Sequence, residues 1–306
     1  MSPGRRTVLF LLSSLALFAI QWHEIWDLLR YALDTEHTNA SQVLLIPFVS
    51  AFLIFRDRQR IFSRVQSAVL PGILIVLLGF GVAAAGHLMG RPADEGDRLG
   101  LTTLTILLVW LGLFVAFYGL EVFKAASFPL LFLVFCIPIP SGILKPLIHV
   151  LQRGSAEISH IILLASGTPV YREGFVFHMP HLSIEVAPEC SGIRSCLSML
   201  ILTIIAGHML LKTTWRRIAL VLIAIPIMIF KNSIRIATLT LLSIHIDPAI
   251  IQSRLHREGG IPFFLLALLI TYPVLKALMK TEKSREGVAR EAPPDDKSGQ
   301  VYVARG

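Results

Sequence analysis

Long uncharged apolar stretches alternate with short polar ones along most of this chain. Eight stretches contain no Asp, Glu, Lys or Arg: 7–23, 37–55, 65–90, 99–120, 125–144, 195–211, 218–230 and 259–275. A helix needs about 20 mostly apolar residues to cross a bilayer. Most of the stretches are long enough, and 218–230 is long enough once its neighbours extend it. The pattern therefore predicts an all-α polytopic membrane protein with eight transmembrane helices.

The composition and the charges agree with a membrane protein. The chain is 54% hydrophobic and 16% charged, whereas soluble domains carry about 25% charged residues. Its net charge of +8 does not indicate nucleic-acid binding, because the cytoplasmic loops of membrane proteins retain Lys and Arg. Basic residues occupy alternate loops: Arg5, Arg6, Arg56, Arg58, Arg60, Arg64, Lys212, Arg216 and Arg217. The other loops are acidic or mixed, so we expect both termini in the cytoplasm, the lipid bilayer as a partner, and no nucleic acid.

The region between the fifth and sixth stretches has a different pattern. Apolar residues mark one helical face of 143–166: Leu144, Leu147, Ile148, Leu151, Ile158 and Ile162. Polar residues mark the other face: Lys145, His149, Gln152, Arg153 and His160. This periodicity predicts an amphipathic helix at the outer membrane surface, with its polar face in water. Strand-like segments at 175–177 and 182–186 then predict a small β-hairpin. Two histidines in its turn lack further ligands nearby, so we expect no metal and no other cofactor.

The hairpin leads to Cys190, at the start of the sixth apolar helix. Cys190 and Cys196 are six residues apart and point to different sides of a helix, so a disulfide between them is not expected. A free thiol at a helix start faces water while a rigid element holds it. The seventh helix contains Lys231, Asn232 and Arg235 within an apolar stretch. Such residues usually face a bundle interior or a wet cavity, and the alternative is that the two cations reach the membrane surface.

The predicted topology places Cys190, Arg235 and His256 on the same, outer side of the membrane. A neighbouring His or Arg lowers the pKa of a thiol, and a helix N-terminus adds to this effect. In this arrangement His256 transfers protons, and Arg235 stabilises a thiolate or a developing oxyanion. Gly192 allows the backbone to approach closely. Together these residues form the set that acyl transfer needs.

The same residues resemble a known family. The matching stretches are 128–132, 137–140, Gly174, 186–195, 232–235 and 256–259. They contain a Cys-Ser-Gly, an Asn-x-x-Arg and a His-x-x-Gly motif in this order. The chain resembles the exosortases, multi-pass bacterial membrane proteins related to the archaeosortases. The resemblance is close over roughly 125–265 and rests on hydropathy alone for the first four helices.

The resemblance implies a cysteine transpeptidase or protease of the bacterial inner membrane. Such an enzyme cleaves a C-terminal sorting tail, which has a short Pro-Glu-Pro-like motif (PEP-CTERM), one transmembrane helix and a basic end, from exported proteins. Exosortases often accompany exopolysaccharide systems. The resemblance implies that Cys190 is the nucleophile and forms a thioester, that Arg235 is the stabiliser and that His256 is the acid and base. The supporting residues are Ser191, Gly192, Arg194, Asn232, Glu258 and Gly259. Arg257 stands where an acidic residue is expected, so Glu258 becomes the candidate for orienting the imidazole.

We expect one integral membrane domain over 1–279, with the catalytic core at about 125–265, and a disordered cytoplasmic tail over 280–306. A non-catalytic transporter or assembly factor for exopolysaccharide export is the main alternative. It predicts charged residues along pore-facing helices, whereas the second to fifth helices are uncharged. An acyltransferase that acts on lipid or glycan with the same thiol is a third hypothesis. The second nucleophile (water, an amine or a glycolipid) and the oligomeric state stay open in the sequence.

Overall fold

The computed structural model describes residues 2–34, 40–88, 90, 92, 94–180, 182–247 and 260–291 of the 306-residue chain. These residues are mostly helical, and a small sheet lies in the second half of the chain. Two units, Met1–Val150 and Leu151–Gly306, each have their own internal contacts. They are described in turn.

The described part of the first unit consists of helices joined by short turns. They are α1 (Pro3–Ile20), α2 (Trp22–Leu33), α3 (Ile46–Arg56), α4 (Arg58–Ile61), α5 (Val69–Leu88), α6 (Glu95–Tyr118), α7 (Leu120–Ala125) and α8 (Ser127–Phe132). A 3-10 turn precedes α3 at Ser41–Leu44, and another follows α8 at Leu133–Cys136. α9 (Ser141–Ala165) begins in this unit and continues into the second.

Close packing of α5 against α6 organises the first unit. A Cβ atom added at Gly72 would lie 2.5 Å from Ala116 Cβ, and one added at Gly112 would lie 2.7 Å from Val76 Cγ2. Small residues at these positions let the two backbones approach, as is common between membrane helices. The Asp97 carboxylate of α6 accepts hydrogen bonds from the Ser141 N–H and hydroxyl, both at 2.6 Å. These bonds satisfy polar groups at the start of α9.

The second unit combines one antiparallel sheet with long helices. Its elements after α9 are β1 (Tyr171–Glu173), β2 (Val176–Met179), β3 (Leu182–Glu185), α10 (Ile193–Leu210), α11 (Thr214–His245) and α12 (Gly260–Glu291). Among the described residues the strands are ordered β1–β2–β3, and Val176 lies opposite Glu185. The buried side chain of Phe177 packs between Ala156 of α9 and Ile236 of α11 in one hydrophobic cluster. This cluster holds the sheet, and the loop that follows it, against both helices.

The lengths of the helices confirm a multi-pass membrane protein but not the count of eight crossings. In the part of the chain that the structure describes, five helices are long and apolar enough to span a bilayer: α5, α6, α10, α11 and the Ile261–Glu282 part of α12. The number rises to seven if two bent pairs each form one span, namely α1 with α2 (72°) and Ser127–Cys136 with α9 (86°). The second predicted span falls short because α3 has only 11 residues.

The amphipathic segment forms the predicted helix, but its polar side chains do not all face water. Gln152 was expected on the solvated face, and this expectation is wrong, because its side chain is buried with 5% exposure. The buried face of the helix also contains Ser155 and Ser159. His160 is half-buried, and its ring stacks on Phe177 with 6.1 Å between ring centroids. Polar groups on this helix therefore take part in tertiary contacts.

Two further expectations differ in detail from the structure. The predicted hairpin is a three-stranded sheet, because Tyr171–Glu173 adds an antiparallel strand to β2. The last helix continues to Glu291, past the predicted end of the membrane domain at 279. The side chain of Glu282 is buried in this extension and accepts a hydrogen bond of 2.8 Å from the Thr213 N–H. The rest of the expected tail, 292–306, lies outside the described residues.

Candidate active site

Cys190 lies in a single 3-10 turn, Pro188–Ser191, directly before α10. We call this segment the cysteine turn. The Cys190 N–H closes the turn by donating to the Ala187 carbonyl at 2.8 Å. Gly192 joins the turn to the helix with φ +75° and ψ 17°, a left-handed conformation that glycine adopts at little cost. The local sequence therefore places a cysteine at the N-terminal end of an 18-residue helix.

The close contact with α11 also requires a glycine at position 192. A Cβ atom at this position would lie 2.6 Å from Asn232 Oδ1 and 2.8 Å from Asn232 Cγ. Both distances are shorter than a non-bonded contact allows. Glycine therefore meets two demands here, a positive φ and close contact with α11, which agrees with the close backbone approach expected from the sequence.

Asn232 anchors the cysteine turn to its surroundings. Its side-chain Nδ2 donates to the Cys190 carbonyl at 2.9 Å and lies 3.0 Å from Ser155 Oγ. The side chain is completely buried. Its Oδ1 has no hydrogen-bond partner among the described residues. One amide thus connects the turn, α9 and α11.

Arg235 follows Asn232 by one helical turn and lies beside Cys190. Both residues are half-buried and line one cavity of about 170 Å³. The cavity is bounded by Ile184, Glu185, Val186, Ala187, Cys190, Arg235, Ile236, Leu239 and Thr240. The guanidinium also interacts electrostatically with Cys190. A permanent positive charge next to a thiol favours the thiolate, which is the nucleophilic form.

The walls of this cavity are mainly aliphatic. The Ile184, Val186 and Leu239 side chains contribute apolar surface, while Cys190 and Arg235 contribute the reactive and charged groups. Mostly apolar cavities with a few convergent polar groups are typical ligand sites. The low-dielectric surroundings strengthen the interaction between the guanidinium and a negative charge on sulfur or oxygen.

The sequence analysis did not identify the role of α9 at this site. Gln152 Nε2 donates to the Val186 carbonyl at 2.5 Å, just before the cysteine turn. Ser159 Oγ donates to the Ser233 carbonyl of α11 at 3.2 Å. With Ser155, these residues form a buried polar row at helical spacing. The spacing of Gln152, Ser155 and Ser159 was visible in the sequence, but charged neighbours made this side of the helix look solvated.

Lys231 also contacts the segment after Cys190. Its side chain is 2% exposed, and its Nζ donates to Ser195 Oγ at 2.5 Å. The Ser195 hydroxyl in turn donates to the Gly192 carbonyl at 2.9 Å. Of the two alternatives for this lysine, the structure therefore favours an interior position over one at the membrane surface.

Comparison with protein families identifies a related family. The model of the transmembrane exosortases (Exosortase_EpsH) matches residues 33–273. The chain belongs to the transmembrane exosortase family. Comparison with curated proteins and with solved structures gives no match. The family match spans both units and includes the cysteine turn and α11 of this exosortase.

The structure brings together some of the predicted site residues. Cys190, Gly192, Asn232 and Arg235 lie in one region of the second unit. Two further predicted residues flank Cys190 near the start of α10. Ser191 is buried, and its Oγ has no partner among the described residues, whereas Arg194 is half-buried.

The remaining predicted residues are His256, Glu258 and Gly259, and they lie outside the described residues. The role of His256 therefore stays a prediction. None of the three cysteines, Cys136, Cys190 and Cys196, forms a disulfide. A Cys190 thiol outside a disulfide is the form that the predicted chemistry needs.

Proposed function

We propose that this exosortase is a membrane cysteine peptidase or transpeptidase that cleaves the C-terminal sorting tail of exported proteins. The observation that carries the proposal is the shared cavity of Cys190 and Arg235 at the N-terminal end of α10. A nucleophile, a fixed cation and a helix N-terminus at one point are the components that stabilise an acyl-transfer transition state. Membership of the exosortase family supports the same chemistry.

The proposed reaction proceeds in two steps. The Cys190 thiolate attacks the carbonyl carbon of the scissile peptide bond, and the negative charge that develops on oxygen is stabilised by Arg235 and by N–H groups at the start of α10. The C–N bond then breaks, and His256 gives its proton to the leaving amine. The acyl part of the substrate remains as a thioester on Cys190. Water, an amine or a glycolipid hydroxyl attacks the thioester, loses its proton to His256 and releases the thiolate.

The residues that bind the cysteine turn and the segment before it contribute by holding the sulfur in place. Asn232 fixes the Cys190 carbonyl, and Gln152 fixes the Val186 carbonyl on the other side of the turn. Positioning of this kind lowers the activation barrier because the reacting groups are already oriented. We further propose that the site faces the outer side of the bacterial inner membrane, where an exported tail is accessible, and that both termini are cytoplasmic.

Co-expression with an exported protein that bears a Pro-Glu-Pro-like tail tests this function. Wild type, Cys190→Ala and Cys196→Ala are compared by gel mobility and by the mass of the substrate's new C-terminus. We expect tail loss with wild type and Cys196→Ala, and none with Cys190→Ala at equal protein abundance. A C-terminal free acid identifies hydrolysis, and an added mass identifies another nucleophile.

Cys196 is a matched control because it is a cysteine outside any disulfide, six positions further along the chain in α10. Equal tail loss with Cys190→Ala and wild type would overturn the assignment of the nucleophile. Intact tails with wild type, for several such exported proteins, would count against the proposed substrate.

A further inference from the structure

The strand that leads to the cysteine turn is at an edge of the sheet. Among the described residues the sheet contains three strands in the order β1–β2–β3. β3 (Leu182–Glu185) therefore pairs with β2 on one side only. Edge strands present backbone N–H and C=O groups that can pair with another extended segment.

The register shows which backbone groups point to this free edge. The Val186 N–H donates to the Phe175 carbonyl at 2.9 Å, one step beyond the Val176–Glu185 pair. Hydrogen-bonded and non-hydrogen-bonded pairs alternate in an antiparallel ladder. The Val176–Glu185 and His178–Ser183 pairs are therefore of the non-hydrogen-bonded kind. The N–H and C=O groups of Ser183 and Glu185 consequently point away from β2.

A side-chain contact supports this assignment. His178 Nδ1 lies 3.0 Å from Ser183 Oγ across the two strands. Side chains approach each other more closely in non-hydrogen-bonded pairs than in hydrogen-bonded ones. The hydroxyl and the imidazole lie on the exposed face of the sheet, whereas Phe177 and Ile184 face the hydrophobic cluster.

The free edge continues directly into the cavity that contains the thiol. The end of β3 and the residues after it, Ile184 to Ala187, line the same cavity as Cys190 and Arg235. A segment that follows the edge from Ser183 to Glu185 thus reaches the cavity that Cys190 lines. Backbone pairing and the reactive group belong to one continuous surface of the second unit.

We propose that the substrate tail binds as an extended strand on the free edge of β3, paired with the backbone of Ser183 and Glu185. This inference rests on the proposed function. Addition of a peptide strand to a sheet edge is a recurring mode of recognition in which the main chain gives affinity and alternate side chains give specificity. The strand delivers its scissile carbonyl to Cys190.

The cavity then selects one side chain of the substrate. Its volume of about 170 Å³ accommodates a single side chain. The aliphatic walls formed by Ile184, Val186, Ile236 and Leu239 favour an apolar one. Successive side chains of a strand point in opposite directions, so the neighbours of this residue face away from the cavity. The substrate class is therefore an extended peptide with an apolar residue next to the scissile bond.

Binding of backbone-modified peptides tests the proposal without requiring cleavage. The full chain with Cys190→Ala is placed in nanodiscs, and synthetic peptides of a Pro-Glu-Pro-like tail carry one N-methyl group at each non-proline position in turn. We expect N-methylation to weaken binding by about tenfold at every second position, because it removes a donor and adds a clash at the edge. No alternation along the peptide would overturn the proposal.

A matched pair of variants tests the same edge by changing β3 instead of the peptide. Ser183→Ala and Ser183→Pro both lose the hydroxyl, but only the proline loses the outward N–H. Proline is tolerated on an edge strand when its nitrogen faces away from the neighbouring strand. We expect Ser183→Pro to bind the unmodified peptide about tenfold more weakly than Ser183→Ala. Equal affinities, or an edge occupied by β3 of a second copy in cross-linking, would contradict the proposal.

These outcomes are separable from those of the proposed function. Alternating N-methyl effects together with an uncleaved tail would contradict the proposed peptidase function and still support strand addition. Tail cleavage that depends on Cys190, without alternation in binding, would support the proposed peptidase function and contradict strand addition.

Discussion

The side-chain amide of Asn232 donates a hydrogen bond of 2.9 Å to the backbone carbonyl of Cys190. Asn232 lies in the middle of α11 with its side chain completely buried, and its amide holds the carbonyl of the half-buried Cys190. An unsatisfied buried carbonyl costs about 1–3 kcal/mol. The position of Cys190 in this exosortase therefore depends on a side chain 42 residues further along the chain.

Replacing Asn232 tests this dependence. We expect Asn232→Ala to lower the rate of tail cleavage by roughly 10- to 100-fold, because about 1.4 kcal/mol corresponds to a factor of ten. Ser155→Ala leaves the bond to Cys190 in place and should have a smaller effect. The measurement is the initial rate of tail loss at equal amounts of membrane-inserted protein. A wild-type rate for Asn232→Ala would refute the anchoring role.

Gly192→Ala should impair the site for two separate reasons. Alanine disfavours the positive φ, and its Cβ would lie 2.6 Å from Asn232 Oδ1. We expect a lower thermal midpoint of unfolding and at least a tenfold slower cleavage. The double variant with Asn232→Ala relieves the clash, so its loss of stability should be smaller than the sum of the two single losses.

Gly81→Ala provides the matched control for this prediction. Gly81 lies in α5, and no atom is found within 4 Å of a Cβ added there. Alanine is the better helix former, so the thermal midpoint should stay the same or rise. Additive losses in the Gly192 and Asn232 double variant would argue against the contact between them.

The helices with long uncharged stretches were predicted closely from the sequence. The uncharged stretch 65–90 contains the helix Val69–Leu88, and the stretch 195–211 corresponds to the helix Ile193–Leu210. Hydropathy succeeds here because length and charge alone decide whether a helix can cross a bilayer. It failed for the second span, where an apolar stretch is divided into a 3-10 turn and the short helix α3. Composition does not report where a helix breaks inside an apolar segment.

Only part of the candidate site could be predicted from the sequence. Arg235 and Asn232 were identifiable because polar groups in an apolar stretch are costly and usually functional. Gln152 was misplaced because helical periodicity orders residues around an axis but does not identify which face meets another element. Its partner is the backbone of Val186, 34 residues away. Every residue has a backbone carbonyl, so a sequence pattern does not show which one accepts a side-chain hydrogen bond.

Arg235 should control the reactivity of the Cys190 thiol. In a background with Cys136→Ala and Cys196→Ala, we expect Arg235→Gln to alkylate more slowly at neutral pH than the parent. Loss of the positive charge destabilises the thiolate, so the curve of alkylation rate against pH should move to higher pH. The measurement is the rate of labelling by a small charged maleimide.

Arg153→Gln is the matched control for the charge. Arg153 is exposed on α9, and its removal changes the net charge by the same amount. Its alkylation curve should overlay that of the parent. A shift of equal size in both variants would mean that Arg235 acts only through the net charge.

Gln152 should act as a hydrogen-bond donor to the segment before the cysteine turn. Gln152→Met keeps the size of the side chain but leaves the Val186 carbonyl without its donor, which should slow cleavage about tenfold. Gln152→Glu has a donor only when its carboxyl is protonated. Its cleavage rate relative to wild type should therefore rise as the pH falls. A pH-independent ratio would indicate that the amide fills space rather than holding the carbonyl.

Glu282 should stabilise the second unit near the start of α11. Its carboxylate accepts hydrogen bonds from the Lys212 N–H, the Thr213 N–H and hydroxyl, and Arg216 Nη1. Glu282 and Arg216 form an ion pair, and each of the two side chains is less than a tenth exposed. Glu282→Gln places an amide among these donors and should lower the free energy of unfolding by about 1–3 kcal/mol.

An exposed ion pair in the same chain provides the comparison. Lys124 and Glu121 lie 3.0 Å apart, with side chains 70% and 58% exposed. Surface pairs of this kind contribute about 0–1 kcal/mol, so Glu121→Gln should leave the thermal midpoint almost unchanged. Replacing Arg216 together with Glu282 should cost less than the sum of the two single changes, because neither charge is then left buried without its partner. Equal midpoints for Glu282→Gln and Glu121→Gln would show that the α12 extension does not stabilise this unit through its carboxylate.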